Sequence, residues 1–138
     1  MKEDKNYITV NIKNTEILSK DTNEAIVTFE INGKMFKAFS FPDKFIKNEF
    51  QKVVFSFIED EIDEDVFWSE NKNKIKKIEV DKNNDLKYYC YGEVVNINPV
   101  IIDCGDLFFD YGEISNDSRI IGSYVYFVIA RLDINIYV

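Results

Sequence analysis

Alternation of apolar and polar residues is clearest around the Asn32-Gly33 dipeptide, where it predicts a β-hairpin. Residues 25–31 and 34–41 alternate on either side of this dipeptide. Asn-Gly tolerates the positive φ angles of a type I′ turn, which joins two strands through two residues. Such a turn fixes the register of the strands. The expected core face therefore carries two cross-strand pairs, Phe29 with Phe36 and Val27 with Ala38.

The same reading predicts strands along most of the remaining chain. The segment Phe45–Ile58 also fits one side of a helix, but a strand over Gln51–Ile58 is favoured because its centre is β-branched and aromatic. Every second residue from Tyr124 to Val138 is apolar, which predicts a strand buried on both faces at first and then on one. The other predicted strands cover residues 7–12, 75–80, 86–97, 100–103 and 107–109.

These elements predict a mainly β fold, an antiparallel small barrel or sandwich of about 8–10 strands with at most a short helix. A chain of 138 residues fits a single domain, residues 1–138, in which an exposed acidic connection at 59–74 separates two strand-rich halves. The segments Tyr91–Ile97, Val100–Gly105 and Gly122–Leu132 resemble the strand rhythm of an OB-type barrel. The resemblance includes no diagnostic motif, so no function follows from it.

Composition favours a folded cytoplasmic protein. Hydrophobic residues make up 46% of the chain, enough for a packed core. The charged N-terminus lacks the apolar region of a signal peptide, and no apolar run reaches the roughly 18 residues that a membrane helix needs. In that setting Cys90 and Cys104 are expected to be reduced thiols.

Almost all of the net charge is concentrated in one stretch. The formal net charge is −8, and the segment from Glu59 to Glu70 contains seven carboxylates and no Lys or Arg. Apolar residues are interleaved with the acids, and tryptophan is enriched at binding hot spots. The stretch can therefore be a solvated loop that keeps the protein soluble or a contact surface for a positively charged partner. The residues predicted to bind such a partner are Glu59, Asp60, Glu61, Asp63, Glu64, Asp65, Phe67 and Trp68.

Candidate chemistry is sparse. The chain has no histidine, the commonest general base and metal ligand. Four carboxylates near Gly105 and Gly112 could bind a divalent cation, but Asp next to Gly is also common in turns, where no ligand is bound. The turn interpretation is favoured, so no catalytic residue, metal or cofactor is predicted. The four carboxylates are Asp103, Asp106, Asp110 and Glu113.

Three functions follow from these patterns, and the leading one is a non-enzymatic binding protein. Its acidic segment would dock a basic protein, for example as a small bacterial inhibitor or immunity-type protein that masks a nucleic-acid-binding site. The alternative is a β-barrel that binds a small molecule or peptide through a wall of tyrosines: Tyr88, Tyr89, Tyr91, Tyr124 and Tyr126. The third is a metal-dependent enzyme using the carboxylates near Gly105. An acidic chain with two arginines is a poor nucleic-acid binder, and no membrane partner is expected.

Overall fold

A computed structural model describes residues 7–138 as nine β-strands, one short α-helix and one 3-10 turn. Residues 1–6, on which the expectation about export rests, lie outside the described residues. The helix is α1 (Glu64–Ser69) and the 3-10 turn covers Ser118–Ile120. The strands are β1 (Ile8–Ser19), β2 (Glu24–Ile31), β3 (Lys34–Ser40), β4 (Phe50–Asp60), β5 (Lys77–Val80), β6 (Tyr88–Asn96), β7 (Ile101–Asp103), β8 (Phe108–Asp110) and β9 (Tyr124–Ile136).

The strands form one hydrogen-bonded sheet, which confirms the predicted mainly antiparallel β class. The pairing order is β3-β2-β1-β4-β9-β6-β7-β8, and β5 also pairs with β6. The described chain divides into two compact units. Unit 1 comprises residues 7–56 and 132–138, and unit 2 comprises residues 57–131. The single domain expected from the sequence stays a prediction.

In unit 1 the hairpin forms with the predicted register. Asn32 and Gly33 have φ angles of 52° and 79°, the positive values that a type I′ turn requires. Phe29 pairs with Phe36 and Val27 with Ala38. All four side chains are buried, so the predicted face is the core face.

The strand pairings of unit 1 form a closed circuit. β1 pairs with β2 through its C-terminal part and with β4 through residues 8–11. β3 meets β9 in a single parallel pair, Phe39 with Asp133, and β9 neighbours β4. The described pairings around residues 91–131, where the OB-like rhythm was predicted, do not close in this way.

The segment that could have been a helix is a strand, as predicted. β4 covers Phe50–Asp60, and the residues from Phe45 to Asn48 form no helix. Phe45 is buried against unit 1, whereas Phe50 is exposed. The extended conformation suits the β-branched and aromatic side chains of β4, which would crowd the preceding turn of a helix.

Strand β6 is the centre of unit 2. β9 pairs along one side of it, and β5 and β7 pair in succession along the other. The predicted hairpin of residues 75–80 and 86–97 is thereby confirmed, as are the short strands on either side of Gly105. Cys90 and Cys104 are both buried and form no disulfide in the described chain. Burial raises the pKa of the Cys104 thiol well above its ordinary value.

Strand β9 changes its buried face along its length. In unit 2 the buried side chains include Val125, Phe127 and Ile129, and in unit 1 they are Leu132 and Ile134. Val128 is also buried, so both faces contribute near the middle of the strand. The sequence predicted burial on both faces at first and then on one, and the buried side chains follow that order. In the first part of the strand, the face of Val125, Phe127 and Ile129 is the more buried of the two.

The acidic connection predicted at 59–74 is not one continuous exposed loop. β4 continues through Asp60, and α1 occupies Glu64–Ser69. Asn71, assigned to the same exposed connection, is only 6% exposed. No helix in residues 7–138 is long and apolar enough to cross a membrane.

Replacing Gly92 with alanine should destabilise the protein by about 1–3 kcal/mol, the usual cost of overpacking a core. A Cβ at this position in β6 would lie 2.7 Å from the backbone oxygen of Asp103 and 2.8 Å from Cys104 Sγ. The backbone of β7 would have to move, because a carbonyl oxygen cannot rotate away. Urea unfolding measures the change. The control is Val95→Ala on the same strand, where the exposed side chain should cost at most about 0.5 kcal/mol.

Candidate functional site

The end of β4 directs the first two acidic residues to opposite faces. Glu59 lies on the same face as Phe57, because side chains alternate along a strand. Asp60 lies on the other face, where its carboxylate is 3.1 Å from the ammonium of Lys87. Partial burial, and secondarily the charge of Glu61, raise the pKa of Glu59 above its ordinary value.

Helix α1 positions the aromatic residues of the acidic stretch. It begins after Asp63 and has Glu64 and Asp65 in its first turn, where acidic side chains interact favourably with the helix dipole. Phe67 is 6% exposed and packs edge-to-face against Trp68, with ring centroids 4.9 Å apart. Trp68 is half-buried, so part of its ring stays accessible.

An aromatic cluster, Phe57, Phe109, Tyr111 and Phe127, anchors this helix to the sheet of unit 2. The Phe57 ring lies 5.6 Å from both Phe109 and Tyr111 and 5.9 Å from Phe127. Tyr111 is also 5.3 Å from Phe67. Centroid distances of 4.5–7 Å are those at which aromatic rings attract each other. The cluster therefore couples β4, β9 and the segment after β8 to helix α1.

A groove of about 250 Å³ opens beside α1. We call it the aromatic groove. Glu59 and Glu64 contribute carboxylates to its lining, so the predicted partner-binding residues are only partly gathered around it. Asp60, Glu61, Asp63 and Asp65 do not line it. The lining residues are Glu59, Ile62, Glu64, Phe67, Trp68, Tyr111 and Ile114.

Tyr111 and Ile114 were not among the residues predicted from the sequence. They follow β8, more than forty residues after α1, so no local pattern connects them to the acidic stretch. Helix α1 itself was detectable. An aspartate at the N-cap followed by acidic residues and then by Val66, Phe67 and Trp68 is an ordinary helix-start signal.

Four exposed carboxylates without an ion pair in residues 7–138 lie close to the start of α1. They belong to Glu61, Asp63, Glu64 and Asp65, none of which forms an ion pair with a described residue. The N-cap residue Asp63 also makes no side-chain capping hydrogen bond. Asp60 is different, because Lys87 offsets its charge. The unpaired charges therefore surround the start of α1, next to the aromatic groove.

Asn71 holds the segment that follows α1 in place through three side-chain hydrogen bonds. Its side-chain amide donates to the backbone oxygens of Ile75, at 2.9 Å, and Val125, at 3.1 Å. Its side-chain oxygen accepts a hydrogen bond from the backbone N–H of Ile75 at 3.0 Å. One buried side chain thus ties the residues after the helix to β9.

The predicted tyrosine wall is divided between two faces of the sheet. Tyr88 is buried on the core face of β6, together with Cys90. On the opposite face the rings of Tyr91 and Tyr126 lie 4.9 Å apart, and burial raises the pKa of Tyr126 to about 12. The Tyr89 hydroxyl donates to Asp81 at 2.6 Å. The five tyrosines therefore do not form one wall.

Two of the four carboxylates near Gly105 and Gly112 accept backbone hydrogen bonds within turns. Asp103 accepts a hydrogen bond from the Gly105 N–H and forms an ion pair with Lys76, each at 2.9 Å. Asp110 accepts from the Gly112 N–H at 2.8 Å. Within residues 7–138, no group of three or more acidic or cysteine side chains is arranged to hold a metal ion.

Asn71→Ala should lower the free energy of unfolding by about 1–3 kcal/mol, because it leaves the buried backbone oxygen of Val125 and part-buried backbone groups of Ile75 without their partner. Chemical denaturation monitored by Trp68 fluorescence measures the loss. Asn73→Ala is the matched control two residues away. That side chain is exposed, so its removal should change stability by no more than about 0.5 kcal/mol. Equal effects of the two substitutions would contradict the anchoring role.

Glu59→Gln should stabilise the protein at neutral pH, and this advantage should vanish in acid. The raised pKa means that folded Glu59 holds its proton more tightly than unfolded Glu59. Its protonation therefore contributes stability below the unfolded pKa, and that stability is lost as pH rises through the folded pKa. Unfolding free energies of wild type and variant across this pH range provide the measurement.

The two causes of the Glu59 shift can be separated with Glu61→Gln. Removing the neighbouring charge should lower the pKa of Glu59, measured by NMR titration of its carboxyl carbon. Burial is the larger cause, so the pKa should stay above the ordinary value of 4.5. A return to 4.5 would show that burial at the groove does not contribute.

Comparison of the chain with protein-family models, with curated proteins and with solved structures found no significant match.

Proposed function

We propose that this protein is a non-enzymatic binding protein that docks a basic protein partner. The contact surface is the start of α1 with the adjoining aromatic groove. The observation that carries this proposal is the juxtaposition of four exposed, unpaired carboxylates with a groove lined by Phe67 and Trp68. A cytoplasmic inhibitor or immunity-type protein, bacterial in origin, would use such a surface to mask a basic site on its target.

The charges of Glu61, Asp63, Glu64 and Asp65 suit long-range attraction. They are exposed and close in sequence, and within the described chain no lysine or arginine pairs with them. A concentrated field of one sign raises the association rate of an oppositely charged partner by about 10- to 1,000-fold. This attraction weakens as salt shortens the Debye length, which is about 8 Å at physiological ionic strength.

The aromatic groove supplies a place for an apolar anchor. Its volume of about 250 Å³ is below the roughly 300 Å³ at which small-molecule pockets begin, so it suits a single inserted side chain. Half-buried Trp68 offers the kind of large, amphipathic surface that dominates binding energy at protein interfaces. The four charges would then determine the association rate of the partner, and the groove would determine its dissociation rate.

The surface is also ordered before any partner binds. Phe67 is fixed by its contact with Tyr111, and Asn71 ties the segment after α1 to β9. Less conformational entropy is lost when a preorganised surface binds. A loop that served only to keep the protein soluble would need neither contact.

Neutralising the four exposed carboxylates should slow partner association at least about tenfold while leaving stability intact. The variant is Glu61→Gln, Asp63→Asn, Glu64→Gln and Asp65→Asn. Glu59 and Asp60 stay unchanged because they contact the groove and Lys87. Proteins captured by wild type from a bacterial lysate at low salt would be identified, purified and measured for association rate against both proteins.

The matched control neutralises four exposed carboxylates elsewhere, Glu16→Gln, Asp21→Asn, Glu49→Gln and Glu113→Gln, and should bind like wild type. A second variant, Trp68→Ala, should leave the association rate nearly unchanged and speed dissociation. If both charge variants lose the partner equally, the effect comes from net charge and the proposed surface is wrong. If neither loses it, the acidic segment is a solvated region without this role.

A further inference from the structure

Unit 1 contains a cavity of about 470 Å³ that the proposed function does not use. We call it the unit 1 cavity. It lies where β1 ends and β2 begins, against the connection from β3 to β4. Small-molecule sites usually measure about 300–1,000 Å³, and an apolar cavity of only about 150 Å³ already admits benzene. Its lining residues are Thr15, Ile17, Lys20, Asn23, Ala25, Asp43, Lys44 and Phe45.

The apolar part of the lining comes from Ile17, Ala25 and Phe45. Ala25 and Phe45 are buried, whereas Ile17 is 54% exposed, a large fraction for an isoleucine on a strand. A hydrocarbon group lying in the cavity would cover the Ile17 side chain. Removing apolar surface from water in this way is favourable in proportion to the area covered.

The charged part of the lining has an excess of positive charge. Lys20 belongs to the turn between β1 and β2, and Lys44 to the connection after β3. Neither lysine forms an ion pair with any residue in the part of the chain that the structure describes. Asp43 is the one carboxylate in the lining, and it accepts a hydrogen bond from the Ile136 N–H at 2.7 Å. Asp43 holds the end of β9 and keeps its negative charge, so the lining has two positive charges and one negative, and neither ammonium group is paired with a described residue.

Thr15 adds an unsatisfied polar group. Its hydroxyl oxygen is buried and has no hydrogen-bond partner within residues 7–138, although the residue lines the cavity. A buried hydroxyl without a partner destabilises the folded state. Rotation about χ1 exchanges the hydroxyl with the methyl group. Such a rotation would let the hydroxyl donate to an acceptor in the cavity.

We propose that the unit 1 cavity binds a small amphipathic carboxylate, with its alkyl chain against Ile17, Ala25 and Phe45. Its carboxylate accepts hydrogen bonds from Lys20 and Lys44, and from the Thr15 hydroxyl after rotation. The apolar lining selects for a chain, and the two ammonium groups select for an anionic end. Neither a neutral alcohol nor inorganic phosphate meets both requirements.

Octanoate, below its micelle concentration, is the probe that tests this site. Titration of the full chain, followed in methyl NMR spectra, should give saturable shifts of the Ile17 and Ala25 methyl groups. The methyl groups of Ile114, in the aromatic groove of unit 2, should not shift. Octanol should bind about five- to thirtyfold more weakly than octanoate, because it lacks the two exposed charge contacts with the lysines. Inorganic phosphate should cause no saturable shift.

Two variants locate the selectivity in the named side chains. Lys20→Met with Lys44→Met should abolish the preference for octanoate over octanol, whereas the control pair Lys47→Met with Lys82→Met should retain it. Thr15→Val should weaken octanoate binding and raise the unfolding temperature of the ligand-free protein, because it removes the unsatisfied hydroxyl. Unchanged ligand-free spectra verify that each variant is folded.

Absence of saturable shifts at Ile17 and Ala25 would overturn the proposal. Equal binding of octanol and octanoate would also overturn it, because the cavity would then be apolar without an anion site. If the Lys20→Met, Lys44→Met variant still preferred octanoate over octanol, these lysines would not form the anion site and the proposal would also be overturned. None of these results bears on partner docking at the aromatic groove, which lies in unit 2.

Discussion

Aromatic packing in unit 2 determines where the charges of the acidic segment are held. Phe127, fully buried on β9, contacts Phe57, Phe109 and Tyr111, and Tyr111 in turn contacts Phe67 on α1. Rings in contact at these distances add to the free energy gained by burying their surface. Without this cluster, a helix of six residues would have no reason to persist in water.

The same constraint explains why the carboxylates are exposed together. Because Phe67 is buried in the core, Glu64 and Asp65 in the same short helix face solvent. Glu64 and Asp65 then lie beside Trp68, and the end of β4 brings Glu59 to the rim of the groove. Mutual repulsion among such charges opposes folding; at Glu59 the charge of Glu61 adds to the larger effect of burial in raising the pKa. Carboxylates dispersed over the surface would give solubility without this repulsion, which favours a role in recognition.

The sequence predicted those elements whose side-chain pattern is local. The Asn32-Gly33 hairpin formed in the expected register, because turn geometry and alternation agree there. Within the acidic connection, the burial of Phe67 and Asn71 was not predicted, because it depends on contacts with Tyr111 and Val125, which are distant in sequence. For β9 the sequence predicted burial on both faces at first and then on one, but not which of the two faces is more buried at the start of the strand. Alternation identifies two faces of a strand, but when both carry apolar residues only tertiary packing decides which one is buried.

The most direct test of docking at this surface is the association rate of the captured partner, followed by Trp68 fluorescence across a range of salt concentrations. Trp68 is the only tryptophan in the chain, so a change in protein emission reports contact at the aromatic groove when the partner's own signal is subtracted. Docking at this surface predicts that the rate falls steeply as salt rises, with a blue shift of Trp68 emission in the complex. A rate insensitive to salt, with Trp68 emission unchanged on binding, would contradict it.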